Sequence, residues 1–94
     1  MIFRIASLIA FSTRKLPPAR LGRTYRVKLA STGGLAPKSW KVQRGVLPNG
    51  IRLDRALGVL TGLPTRPGRY RMTFQVVDKL GVASSRSLVI HVVP

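Results

Sequence analysis

The groups in this sequence that could exchange a proton or hold a metal are few: Asp54, Asp78, His91, Tyr25 and Tyr70, set among 17 lysines and arginines. Acid–base chemistry needs titratable groups held together at one substrate atom. Here each acid lies in a glycine-bearing turn, "DRALG" from Asp54 and "DKLG" from Asp78. Aspartate in such turns ordinarily accepts backbone N–H groups. His91 stands alone in an alternating C-terminal run and, by that alternation, points away from the core. No G-x-S-x-G elbow is present, and "TGGLAPK" lacks both the spacing and the strand-to-helix setting of a phosphate loop. A Ca²⁺ site wants about six to eight oxygens, several of them charged; two acids in separate turns do not supply them. Without cysteine there is neither a thiolate metal site nor a disulfide framework. The residues therefore point to no catalytic, metal or cofactor site.

What remains is positive charge. The formal net charge is +15. Such a surface attracts polyanions: nucleic acid, acidic polysaccharide or anionic lipid headgroups. It is equally what a tolerated, solvated coat looks like, and the sequence leaves the two readings side by side. The best-focused cluster is Lys41, Arg69 and Arg71, joined by Arg86 at the start of its strand. These four are the candidate anion-binding residues, all expected on the outward face of one sheet. Like charges on neighbouring strands cost stability, a cost that an anionic partner relieves. Arg26, Lys28 and Arg52 are expected on the other sheet, and further bases from Arg14 to Lys79 fall in loops.

The elements that must carry these residues are strands. Tyr25, Val27 and Leu29 alternate with Arg26 and Lys28; Trp40 and Val42 alternate with Lys41 and Gln43. Tyr70, Met72, Phe74 and Val76 face one way while Arg69, Arg71, Thr73 and Gln75 face the other. Leu88, Ile90 and Val92 repeat the pattern with Ser87, Val89 and His91. This period of two fits antiparallel sheets with one buried and one wet face. Between the runs lie "TGGLAP", "LPNG", "TRPG" and "DKLG". Pro67 and Gly68 suit the central positions of a type II turn, and Asp78 with Gly81 suits a tight hairpin. From Leu47 to Tyr70 the chain is rich in both Gly/Pro and aliphatic residues. That combination predicts two short strands, near Ile51–Leu53 and Val59–Thr61, bent sharply and plugging the space between two sheets. Trp40 is read as a core residue rather than an exposed stacking platform. With no sustained helical period, the fold class is all-β: an antiparallel β-sandwich of about seven strands.

Ninety-four residues make one domain that can bury a modest core. The division expected is an N-terminal extension or extra edge strand over 1–7 and a single sandwich over 8–94. "MIFRIASLIAFS" reads as a strand rather than a signal peptide, because Arg4 interrupts the apolar run and no clean A-x-A follows. No apolar run approaches the ~18 residues of a membrane-spanning helix.

The pattern resembles the "putative Ig-like domain" family of tandem modules in large, mostly bacterial, surface or secreted proteins, related to cadherin-like and dystroglycan-type Ig modules. The match is carried by Leu16-Pro17, Gly22, Tyr25, Leu29, Gly33-Gly34, Pro37, Trp40 and Gly45. It continues through Leu47-Pro48-x-Gly50-Ile51-x-Leu53-Asp54 and Gly58-x-Leu60-x-Gly62-x-Pro64. Gly68, Tyr70, Phe74, Val76, Asp78, Gly81, Ser85 and Leu88 complete it. The resemblance implies an Ig-like or cadherin-like sandwich of about seven strands, without catalysis or cofactor. It implies a structural, adhesion or protein-interaction role, a protein or carbohydrate partner, and a place outside the cell or on its surface as a unit of a larger protein. One departure stands out: Arg and Lys occupy outer faces where such modules usually carry Thr, Ser and Asp.

Overall fold

The computed structural model describes residues 9–94. The extension or edge strand expected over 1–7 lies outside the described residues. Nine strands follow in order: β1 Ala10–Phe11, β2 Ala19–Arg20, β3 Tyr25–Lys28, β4 Ser31–Thr32, β5 Ser39–Arg44, β6 Ile51–Asp54, β7 Val59–Gly62, β8 Gly68–Val77 and β9 Ala83–Val93. They form a four-stranded sheet β2-β9-β8-β5, a three-stranded sheet β3-β7-β6 and a two-stranded ribbon β1-β4.

The nine reduce to seven by following the breaks. Pro17 and Pro18 carry no N–H and cannot continue a ladder. Before them β1 pairs antiparallel with β4; after them β2 pairs parallel with the end of β9. The first strand thus passes from one sheet to the other. The second strand is β3 and β4 with a change of partner between them. Leu29 N still donates to Gly58 O (2.7 Å), whereas Ala30 O accepts from Ser12 N (2.9 Å). The two short strands expected between Leu47 and Tyr70 are β6 and β7, paired from Ile51↔Gly62 to Asp54↔Val59.

Alternation decides what is buried. On β8, Met72, Phe74 and Val76 are buried; on the same face of β9, Leu88 (opposite Met72), Ile90 and Val92 are buried too. Against these pack Tyr25, Leu29, Ile51 and Leu60 from the other sheet, and Ile9, Phe11 and Leu16 from the opening segment. Trp40 is core, as expected, with Phe11 edge-on at 5.6 Å between ring centroids. Each large apolar side chain removed from water contributes about 1.5–3 kcal/mol. Gly58 is required beside Trp40. Its φ is +70°, and a Cβ there would lie 2.7 Å from the indole. Among the described residues no buried side-chain polar atom lacks a partner.

Two turns complete the frame. Between β8 and β9, Asp78 Oδ1 accepts from Leu80 N and Val82 N (2.9 Å each), and Gly81 has φ +86°. Before β8, Tyr70 Oη donates within a close pair of carbonyls, Arg66 O (3.1 Å) and Pro67 O (3.3 Å). A tyrosine near the start of this strand, bonded a few residues upstream, is the corner found in Ig sandwiches. Gly68 departs from the type II turn expected of it. Its φ of +141° is more extended than the ~+80° of that turn, because it already pairs with Val92 in the sheet.

Candidate functional site

The outer face of β8 and β9 is built by the same alternation that buries the inner one. Arg69 stands directly across from His91, Arg71 from Val89, and Thr73 from Ser87, whose hydroxyls lie 2.8 Å apart. Arg69, Arg71, Val89 and His91 are all exposed. Beside this face runs the irregular segment between β1 and β2. Its course is set from the core: Tyr25 is buried, and its Oη donates to Pro17 O at 2.8 Å. Leu16 is buried as an anchor, so Arg14 and Lys15 project as a wall. Together the face and the wall enclose a groove of about 700 Å³.

The groove is one-signed. Arg14, Lys15, Arg69 and Arg71 line it, with His91 and no carboxylate. Leu16, Pro18 and Val89 give it an apolar floor, and Ser87 adds a hydroxyl. Residues two apart on one strand face stand about 7 Å apart. Like charges at that spacing repel by about 0.5 kcal/mol in water, less when screened by salt. Burial pushes the Tyr25 hydroxyl up to about 12, so the bond to Pro17 keeps its proton well above neutral pH.

The four candidate anion-binding residues are not brought together. Arg69 and Arg71 share the groove. Lys41 is on the same face but opposite Gln75, two rows further along. It lines a different recess, of about 360 Å³, with Arg52 and Arg55 at the open edge between the sheets. Arg86 departs from the outward place expected at the start of its strand: it lies opposite Phe74, on the inward side of the sheet, and is half-buried. Alternation runs unbroken from Leu88 back through Arg86, so the longer-than-expected β9 carries it to the core-facing side.

Two groove residues, Arg14 and Lys15, read in sequence only as loop charges. No local period marks them; the Pro17-Pro18 pair and buried Leu16 are the signals that tie the segment to the sheet. Arg44 also reaches the outer face, opposite Thr73, because the ladder shifts register between Val42 and Arg44. A bulge flips every later side chain to the other face.

Both acids accept backbone N–H groups in turns. Asp78 is buried and also accepts from Leu35 N (3.3 Å). Asp54 Oδ1 accepts from Ala56 N and Leu57 N, both at 2.9 Å. Among the described residues no three His, Asp or Glu groups gather where a metal could sit. Among the described residues no helix is long and apolar enough to cross a membrane.

Two facing sheets, antiparallel but for the β2–β9 pair, a first strand shared between them, a buried central tryptophan and a tyrosine corner define an Ig-like domain. The family described as "Putative Ig domain" matches residues 10–93, and the chain belongs to it. Curated proteins give no match by sequence. Among solved structures the chain is similar to a "putative alpha-galactosidase" of Bacteroides fragilis, with a TM-score of 0.80 and 21% identity, covering 99% of this chain and 19% of that one. It is similar also to a "putative alpha-galactosidase/melibiase" of the same organism, with a TM-score of 0.80 and 18% identity, over 93% of this chain and 18% of that one. At such identity the likeness is one of fold, and the chain spans about a fifth of each of those proteins.

Proposed function

We propose that this chain is a non-catalytic Ig-like module with a structural, adhesion or interaction role, one unit of a larger protein outside the cell or at its surface. The observation that carries this reading is that both carboxylates serve as acceptors for backbone N–H groups in turns. One further point supports it. In the two similar structures, whose names are those of glycosidases, the likeness occupies under a fifth of the chain. An accessory place beside a catalytic unit fits that proportion.

The test is turnover of an aryl α-galactoside by the purified chain. No release above buffer is expected. A rate that Asp54→Asn or Asp78→Asn abolishes overturns the reading.

A second reading is favoured by one observation, the one-signed groove. On it the module binds polyanions: nucleic acid, acidic polysaccharide or anionic lipid headgroups. Affinity falling steeply with salt is its signature.

A further inference from the structure

We propose that the groove between the Arg14–Pro18 segment and the outer face of β8 and β9 binds an acidic polysaccharide chain, bearing carboxylate or sulfate groups. The inference rests on the polyanion reading and narrows it to one place and one class of ligand.

The chemistry of the lining chooses the ligand. Arg14 and Lys15 on one wall face Arg69 and Arg71 on the sheet, so an anionic chain lying in the groove meets cations from both sides. Arginine holds carboxylate and sulfate alike through its planar fork of donors. Acidic polysaccharides also carry neutral hydroxyls and apolar ring faces. Ser87 and His91 offer partners for the first, and Leu16, Pro18 and Val89 a surface for the second. The volume, about 700 Å³, lies in the range of ligand-binding clefts.

Nucleic acid fits this lining less well. Single strands are held by stacking bases on exposed aromatic rings. Phe11, Tyr25, Trp40 and Phe74 are buried, and no Phe, Tyr or Trp lines the groove, where the His91 imidazole is the one aromatic ring. Duplex is commonly read by a helix or ribbon inserted into it, whereas this site is a concavity. A lipid surface, being flat, would touch the rims and leave the apolar floor empty.

The remaining bases form one smaller acid-free recess, about 360 Å³, with three cations, Lys41, Arg52 and Arg55. Arg26 and Lys28 stand exposed on the three-stranded sheet, and among the described recesses none joins them to two further cations across an acid-free cleft. They serve as the control for charge alone.

The test measures binding of the full chain to four probes of matched length: a heparin oligosaccharide, an oligogalacturonate, neutral dextran and single-stranded oligothymidylate. Arg69→Glu/Arg71→Glu and Arg14→Glu/Lys15→Glu are compared with Arg26→Glu/Lys28→Glu. Thermal melts check folding, and Arg69→Gln/Arg71→Gln repeats the test without reversing charge. Heparin or oligogalacturonate, or both, should bind tighter than the other probes. Each groove double variant should weaken that binding about tenfold or more, the control pair only about threefold or less. By the ~0.7 per contact found for flexible single strands, four contacts predict a slope of log K against log salt near −3, flattened in the groove variants. Equal losses from groove and control variants overturn the proposal while leaving a general polyanion binder. So does oligothymidylate binding as tightly as the acidic sugars. Absence of binding to every probe overturns both, and none of these outcomes touches the non-catalytic reading, which turnover alone tests.

Discussion

Tyr25 joins the core to the surface. Its ring is buried between the sheets while its hydroxyl fixes Pro17, and through Pro17 the basic wall of the groove. Its proton is held up to about 12, against 10.0 ordinarily, by burial. Between those values the unfolded chain gives up the proton and the folded chain keeps it. The native state then binds more protons, so stability contributed by Tyr25 is whole below pH 10 and is lost as pH rises through about 12. Urea titrations across this window should show a steeper alkaline decline in the parent than in Tyr25→Phe. At neutral pH the same variant should lose about 1 kcal/mol with its hydrogen bond. An identical pH slope in both proteins would contradict the burial of this hydroxyl.

Gly58 makes the opposite kind of demand, that nothing be there. An alanine at this position meets the Trp40 indole at 2.7 Å and must hold φ near +70°. Crowding and backbone strain together should cost about 2 kcal/mol or more. The urea midpoint of Gly58→Ala should fall accordingly; a midpoint unchanged within error would mean that Trp40 has room to move.

At the scale of elements, the β8–β9 hairpin organises both faces of the molecule. Its inner residues form the centre of the core and its outer residues the floor of the groove. One carboxylate closes its turn. Asp78 gathers the N–H groups of Leu80 and Val82 and reaches across to Leu35, while Lys79 N donates to Leu35 O at 2.9 Å. Asp78→Ala leaves those amides without their acceptor and should cost about 3 kcal/mol. Hydrogen exchange should quicken first at Leu35, Leu80 and Val82. Asp78→Asn, which keeps one acceptor oxygen, should recover part of the loss. Uniform quickening over both sheets would assign Asp78 no special hold on the turn.

At the scale of the whole molecule, a net charge of +15 is compressed onto one small sandwich. Its two acids are both engaged with backbone. Self-repulsion opposes the compact state. Raising NaCl from ~10 mM to ~1 M shortens the screening length from ~30 Å to ~3 Å. Relief of about 1 kcal/mol would lift Tm by roughly 4–8 °C in a domain of this size. Calorimetry across that series checks it, and a flat or falling Tm would show that the charges are already spaced far enough apart not to oppose folding.

By itself the sequence determined the longer strands, the face most side chains take on them and the membership of Trp40 in the core. These follow from a period of two and from Gly/Pro punctuation, both of them local properties of the chain. It likewise placed Arg69, Arg71 and His91 outward and Asp78 in its turn. Tertiary structure alone decided the site. Whether a base on a loop stands beside a base on a strand depends on contacts remote in sequence. Here Leu16, Tyr25 and Pro17 draw Arg14 and Lys15 against β8 and β9. Single-residue accidents of register belong to the same class. The bulge before Arg44 turns it outward, because one step along a pleated strand exchanges core for solvent, whereas Arg86 lies inward on the same period of two as Leu88, Ile90 and Val92.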